Sequence, residues 1–87
     1  MKITFDPKKD EWTRRERGLS LALGAKIIAN AVVIEVDDRK NYGEDRLIAY
    51  GHVEKRLHIC VFTMRHDVTR IISVRKANER EIRKYGR

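Results

Sequence analysis

Cysteine and proline are nearly absent from this chain, which has one of each among 87 residues. A single cysteine, Cys60, cannot form an internal disulfide, which excludes a small disulfide-stabilised secreted domain. Five glycines and one proline are too few for a low-complexity linker protein. Hydrophobic residues make up 41% and charged residues 38%, as in a globular protein with one modest core. We therefore expect one domain over residues 1–87.

The chain also lacks a long apolar run. Its longest apolar stretch, around KIIANAVVIEV (26–36), is interrupted by polar residues and is too short to cross a bilayer. The opening sequence, MKITFDPKKD, has no apolar segment of the kind found in signal peptides. These absences predict a cytoplasmic protein with no membrane partner.

Positive charge is abundant, and it is unevenly placed. The formal net charge is +7. Residues 1–45 contain nine basic and nine acidic residues, whereas residues 46–87 contain eleven basic and four acidic ones, so the whole excess falls in the second half. A solvated basic surface is one explanation. We favour a polyanionic partner, because neutralising phosphates releases condensed counterions.

Apolar periodicity and turn signals predict an α+β fold. A strand over 2–5 precedes a helix over 7–17 that Asp6-Pro7 begins and Gly18 ends, and Ser20 caps a second helix. We expect these helices to form an N-terminal helical hairpin packed on an antiparallel sheet. The predicted strands are 31–36, 46–53, 56–64 and 68–76, and a short C-terminal helix begins at Asn78, where Glu81 has capping-box spacing.

Metal and nucleophile chemistry are weakly supported. His52, His58 and Cys60 lie on one predicted hairpin, but pairing of residue 52 with residue 57 places His52 on the opposite face from the other two. No cysteine or histidine pairs have ligand spacing, so we expect no metal site and no cofactor. Cys60 is better explained as a small buried hydrophobic residue.

The arginines of RIISVRK (70–76) are unusual for an interior strand, because an unpaired buried charge costs several kcal/mol. Ideal alternation places the even-numbered residues, including Arg70 and Lys76, on one face and Arg75 on the other. Only a bulge, twist or frayed end would aim all three at one ligand. Arg75 lies between apolar residues, and guanidinium groups bind phosphate through two hydrogen bonds. We therefore predict that Arg75 contacts phosphate.

The other basic residues allow two interpretations. Arg65 lies on the last hairpin, and three more cations follow on the C-terminal helix: Arg80, Arg83 and Lys84. These cations contact RNA or pair with the acids Glu44, Asp45, Asp67 and Glu79. For the three helical cations the simpler explanation is a solvated helix face. Tyr42 and Tyr50 are candidates for stacking on bases, although packing is the favoured role for Tyr50.

Four segments resemble the BrnT toxins of bacterial toxin–antitoxin pairs. They are ITFDPKK (3–9), GLS (18–20) followed by an apolar helix, GEDRLIAYG (43–51) and VFTMRHDVTRIISVRKANEREIRKY (61–85). The last segment is the most specific, since it holds the family's residues at Thr63, Arg65, Asp67, Arg70, Ile71, Ile72, Ser73, Arg75, Lys76 and Ala77. The resemblance covers nearly the whole chain.

The resemblance implies a RelE-like ribonuclease that cleaves RNA and inhibits translation, with the ribosome as a candidate partner. It also implies neutralisation by a ribbon-helix-helix antitoxin similar to BrnA. Such an enzyme works without metal, because the ribose 2′-hydroxyl attacks the neighbouring phosphate. Arg75 and Arg70 would then hold the scissile phosphate and Lys76 would add positive potential. Glu44 or His66 would be the general acid or base, and the further RNA contacts would be Arg65, Arg80, Arg83 and Lys84.

Two departures from the family pattern keep other functions open. Arg17 stands where the family usually has histidine, and Met64 and His66 replace an acid and a glycine. If that histidine is catalytic in relatives, this chain is impaired or His66 has replaced it. The alternatives are a non-catalytic nucleic-acid-binding module and a degenerate toxin that binds an antitoxin as a regulatory subunit.

Overall fold

The computed structural model describes residues 1–39 and 43–86. Within them the chain forms a five-stranded sheet and three α-helices, which confirms the α+β class. The strands are β1 (Lys2–Thr4), β2 (Ala31–Asp37), β3 (Arg46–Val53), β4 (Arg56–Arg65) and β5 (Val68–Lys76). The helices are α1 (Pro7–Arg17), α2 (Gly24–Ala29) and α3 (Glu79–Tyr85), and a 3₁₀ turn (Leu21–Leu23) precedes α2.

The helix ends follow the capping residues in the sequence. The Asp6 side chain accepts the Lys8 backbone N–H at 3.0 Å at the start of α1, and Gly18 ends this helix with a φ of 68°. Asn78 and Glu81 form the predicted capping box of α3. Ser20 caps the 3₁₀ turn instead of an α-helix.

The sheet is mixed, so the prediction of an antiparallel sheet was wrong for one strand. The strand order is β1-β5-β4-β3-β2, and β1 pairs with β5 in parallel. This pairing extends only from Lys2–Val68 to Thr4–Arg70, so β1 leaves the second half of β5 uncovered. Arg17 of α1 donates to the Val74 carbonyl there at 2.9 Å. The Arg17 side chain thus donates the hydrogen bond that the backbone of a longer β1 would have donated to this carbonyl.

The structure does not show α1 and α2 as a clear helical hairpin. α2 packs on β3 and β4, whereas α1 contacts the 3₁₀ turn. The buried Asp10 makes this second contact, because its carboxylate accepts the Leu21 N–H at 2.6 Å and the Ser20 hydroxyl at 3.1 Å. Trp12 of α1 remains 39% exposed. The polar contacts of Asp10 therefore help to hold α1 against the 3₁₀ turn.

We call the sheet face that bears the 3₁₀ turn and α2 the helical face. Its core contains Leu21, Ile27, Ala49, Val53, Cys60, Phe62, Ile71 and Val74. We call the opposite face, where α3 packs, the open face. Its smaller apolar cluster contains Tyr50, Leu57, Ile59 and Ala77, with Ile82 and Tyr85 of α3 packed against it.

A β-bulge in the last hairpin decides which face each arginine occupies. Val61 pairs with Ser73 and Phe62 pairs with Ile71, so Ile72 is an extra residue in β5. The bulge reverses the side-chain alternation in the part of β5 that precedes it. Arg70 therefore lies on the open face together with Arg75. Ideal alternation was therefore wrong for Arg70. Lys76 is on the helical face.

β2 forms the second edge of the sheet and exposes apolar side chains. Val32, Ile34 and Val36 are each at least half exposed, at 55%, 50% and 65%. None of the described helices has the length and apolar composition that a membrane-crossing segment needs.

Candidate functional site

A concave site of about 540 Å³ lies on the open face, and we call it the open-face site. Its floor includes the apolar residues Ile48, Ile59 and Val61, and Arg17 reaches it from α1. Its basic lining residues are Lys9, Arg17, Arg39, Arg46 and Arg75, and its acidic ones are Glu35, Asp37, Asp38 and Glu81. A concave surface with this many guanidinium groups fits a phosphate-bearing ligand.

Arg75 lies in this site and is held by an acid. Its two terminal nitrogens are each 2.8 Å from one carboxylate oxygen of Glu81. This paired hydrogen bonding raises the pKa of Arg75 and lowers the pKa of Glu81. Glu81 also accepts the Asn78 backbone N–H at 2.9 Å, so the capping box fixes the position of Arg75. A phosphate bound by Arg75 must compete with Glu81.

Arg17 also reaches the open-face site. Its Nη1 donates to the Val74 carbonyl at 2.9 Å and lies 3.4 Å from the Ser73 hydroxyl, while its guanidinium stacks 5.0 Å from the centre of the Trp12 ring. A guanidinium remains protonated, so Arg17 cannot accept a proton, but it can bind phosphate. From the sequence, Arg17 was only a departure from the BrnT pattern. Its position in the last turn of α1 brings it to this site.

Two tyrosines form the boundary between this site and α3. The Tyr50 and Tyr85 rings stack with their centres 4.3 Å apart, and the Tyr85 hydroxyl donates to Glu35. Burial raises the pKa of Tyr50 to about 12, so its hydroxyl stays protonated at neutral pH. The packing role predicted for Tyr50 is confirmed, whereas Tyr42 lies outside the described residues.

A smaller pocket of about 260 Å³ adjoins the open-face site and contains Glu44 and Arg70. The two cavities share Lys9, Arg46 and Ile72 as lining residues. Glu44 lies 3.7 Å from Arg46 and 3.8 Å from Arg65. Arg75, Arg70 and Glu44 are therefore brought to one continuous surface.

The other predicted site residues lie elsewhere. His66 occupies the exposed turn between β4 and β5 with a φ of 54°, and it lines neither cavity. Lys76 projects to the helical face, away from Arg75. The cations of α3 are exposed on the helix surface: Arg80, Arg83 and Lys84. Hence His66 and Lys76 are separated from the phosphate-binding residues with which they were grouped.

Packing and hydrogen bonding account for the positions of His52, His58 and Cys60. Gly51 pairs with His58 and His52 with Leu57, so the two histidines lie on opposite faces as predicted. His52 Nε2 is 3.0 Å from the Gly86 carbonyl. Cys60 is fully buried, as predicted, and burial raises its pKa to about 12. In residues 1–39 and 43–86, no group of three or more His, Cys, Asp or Glu side chains is arranged to hold a metal.

Comparison with known proteins assigns the family. The model of the family described as "Ribonuclease toxin, BrnT, of type II toxin-antitoxin system" matches residues 5–81. A search of curated proteins found no match. The matched range includes the segments that supply the open-face site from α1 and β5. The chain therefore belongs to the BrnT family of ribonuclease toxins, whose type II systems pair such a toxin with an antitoxin.

Proposed function

We propose that this protein cleaves RNA without a metal ion and that the open-face site is where cleavage occurs. The observation that carries the proposal is the position of Arg75. Its side chain is 39% exposed, lies in a basic concave site and is oriented by a carboxylate. A guanidinium oriented before the substrate arrives stabilises the charge that develops on phosphoryl oxygens.

The proposed substrate path crosses both cavities of the open face. Arg75 and Arg17 hold the scissile phosphate in the open-face site. Arg70 holds a neighbouring phosphate in the smaller pocket, where Lys9 and Arg46 line both cavities. Two phosphates held at once fix the RNA backbone, and positioning alone supplies much of the rate for an attack within the substrate.

The nucleophile in this proposal is the ribose 2′-hydroxyl. Its oxygen forms a bond to the adjacent phosphorus and its proton passes to a base. The bond to the 5′-oxygen of the next nucleotide breaks and that oxygen takes up a proton, which leaves a 2′,3′-cyclic phosphate and a 5′-hydroxyl. Glu44 is the acid–base residue that the geometry favours, because it lies 3.7 Å from Arg46, which lines both the open-face site and the smaller pocket. His66 is less favoured because it lies in the exposed turn between β4 and β5.

The family resemblance extends the proposal to the cellular role. The fold is RelE-like, the protein acts in the cytoplasm, and cleavage halts translation, with the ribosome as a possible participant. The antitoxin is a ribbon-helix-helix protein similar to BrnA. Arg65 and the cations of α3 add to RNA attraction through charge rather than through direct contact with the scissile phosphate.

A disabled toxin is the second candidate, and two observations favour it. Arg17 replaces the histidine that relatives carry, and a guanidinium cannot take up the proton that an imidazole can. Glu81 also neutralises Arg75. A chain with these two features binds RNA and antitoxin without cutting RNA.

The test is RNA cleavage by the purified protein in excess EDTA, with Arg75→Ala and Arg15→Ala in parallel. Arg15 is an exposed arginine of α1 that lies outside both cavities, so it controls for the loss of one charge. We expect cleavage by the wild type and by Arg15→Ala. We expect Arg75→Ala to lose at least about 100-fold in rate, the range seen when one charge-stabilising donor is removed.

Binding to a 2′-O-methyl RNA oligonucleotide, which lacks the nucleophile, separates cleavage from affinity. An enzyme loses cleavage with Arg75→Ala but keeps most of this binding. If the wild type binds this RNA yet leaves ordinary RNA intact, both alone and with ribosomes added, the disabled toxin becomes the better description.

A further inference from the structure

We propose that a groove on the helical face binds an acidic, leucine-bearing segment of the antitoxin. The groove has a volume of about 550 Å³ and lies between the 3₁₀ turn, α2 and the ends of β3, β4 and β5. The identity of the partner rests on the two-component system to which the family belongs, whereas the chemistry of the ligand is argued from the groove itself.

Three cations line this groove and lack acidic partners. They are Lys26 of α2, Arg56 at the start of β4 and Lys76 at the end of β5. Within the described residues none of them forms an ion pair, although Arg56 donates one hydrogen bond to the Ala77 carbonyl at 3.0 Å. Glu54 is the only acid among the described residues that line this groove. The local charge is therefore positive and available to an anionic ligand.

His58 adds a polar group at the base of the groove. Its side chain is buried, and Nδ1 is 2.8 Å from the Arg56 carbonyl. A carbonyl only accepts, so Nδ1 carries the proton and donates. This bond holds the ring against β4.

The apolar walls of the groove favour a peptide over RNA. Leu19, Leu23 and Val53 line it, and in the part of the chain that the structure describes none of its lining residues is Phe, Tyr or Trp. Single-stranded RNA is usually held by aromatic side chains on which its bases stack. Carboxylates beside leucine side chains would instead satisfy the cations and the apolar walls together. An acidic segment with leucines on one face is the ligand that complements both.

The location gives this contact a defined consequence. Arg75 and Lys76 are consecutive, yet Arg75 lines the open-face site and Lys76 lines the groove on the opposite face. An antitoxin segment in the groove therefore binds the toxin without covering the open-face site, where we propose that RNA binds. The groove provides affinity, and another part of the antitoxin is left to block the open face.

The test uses a fluorescent peptide of glutamate, leucine and alanine, about 14 residues or four helical turns long, with its leucines on one helical face. Fluorescence anisotropy measures its binding to the wild type and to Lys26→Gln/Arg56→Gln. Lys2→Gln/Lys8→Gln is the matched control, because it removes the same charge from exposed lysines that line none of the cavities described above. A 2′-O-methyl RNA oligonucleotide is titrated in parallel.

We expect the groove variant to weaken peptide binding about tenfold, as loss of two partly exposed ion pairs predicts, and the control to weaken it less than about twofold. RNA affinity should stay within about twofold in both variants. Lys26→Glu alone, at an exposed position, should also weaken peptide binding and replaces the double variant if loss of the Arg56 hydrogen bond unfolds the protein.

Three results would overturn the inference. The wild type fails to bind the peptide up to about millimolar concentration, the control weakens peptide binding as much as the groove variant, or RNA binding falls in the groove variant while peptide binding does not. Cleavage is measured separately, so a wild type that binds the peptide but cuts no RNA contradicts the proposed nuclease and leaves the groove intact.

Discussion

The two basic regions of this protein differ in how their cations are held. In the open-face site Arg75 is paired with Glu81, Arg39 with Asp37 and Arg46 with Glu44. In the helical-face groove Lys26, Arg56 and Lys76 have no ion-pair partner within the described residues. An ion pair orients an arginine but neutralises part of its charge, whereas an unpaired lysine keeps its full charge and its mobility. The cations thus suit precise positioning in the open-face site and general attraction in the groove.

The largest expected effect comes from Asp10→Ala, which would disturb both regions together. Asp10 connects α1, which carries Arg17, to the 3₁₀ turn, which lines the groove. Its loss leaves the buried Leu21 N–H without its acceptor at 2.6 Å and removes the Arg14 ion pair at 3.0 Å. We expect the free energy of unfolding in urea to fall by about 2–3 kcal/mol.

Glu11→Ala is the control for this change, since Glu11 is an exposed acid on the same helix. A loss below about 0.5 kcal/mol for Asp10→Ala, the level typical of a surface substitution, would show that apolar packing alone holds α1.

Glu81→Gln would reduce the difference in pairing between the two regions by removing the ion pair of Arg75. It frees Arg75 while keeping an oxygen that can serve the capping box. We expect a 2′-O-methyl RNA oligonucleotide to bind about fivefold more tightly, with a salt slope steeper by about 0.7, the value for one more phosphate contact to a single strand. Glu79→Gln makes the same charge change on α3 without touching Arg75. Equal effects from both variants would mean that only net charge matters.

The same pair predicts a change in acid stability. Hydrogen bonding to Arg75 lowers the pKa of Glu81 below its ordinary value of 4.5. The pair therefore stabilises the fold above about this pH, and its contribution is lost as the pH falls through the folded-state pKa. Between neutral pH and about pH 3 the wild type should lose more stability in urea than Glu81→Gln does. Parallel losses would indicate that the pair contributes no pH dependence.

Gly18→Ala tests the junction between the two regions with a smaller effect. Arg17 before it lines the open-face site, and Gly18 itself lines the groove. A Cβ at Gly18 would meet no atom within 4 Å, so the penalty comes only from its φ of 68°. We expect a loss of about 1 kcal/mol in unfolding free energy. Gly18→Asn, which tolerates this conformation better, should recover part of the loss.

A further effect is expected at alkaline pH. Burial raises the pKa of Tyr50, which lines the open-face site, and of Cys60, in the core of the helical face, to about 12 each from ordinary values of 10.0 and 9.0. The unfolded chain releases these protons first, so stability falls as pH rises above about 9. Cys60→Ala and Tyr50→Phe should each flatten the decline in melting temperature between about pH 9 and 11. An unchanged slope in both would contradict this assignment.

The elements of the fold could be predicted from the sequence, but the partner of Arg75 could not. The strand and helix positions follow from local signals, such as Asp6-Pro7 at the start of α1 and the Asn78 capping box of α3. Arg75 was predicted to contact phosphate, and Glu81, the acid that pairs with it in the structure, was not among the acids considered as partners of the basic residues, such as Glu79. Both acids lie in the first turn of α3, and the structure brings Glu81, which the capping box also holds, to Arg75.

What the sequence by itself determined is the α+β class, the helix caps, the excess of positive charge and the resemblance to BrnT toxins. These properties depend on residues close together in the chain or on composition. Only the tertiary structure decided that Arg70 shares a face with Arg75, that Lys76 does not, and that Arg17 reaches the same site. The reason is physical: one extra residue at Ile72 reverses the side-chain alternation of a strand, and a short β1 leaves a free edge of β5 for α1 to approach.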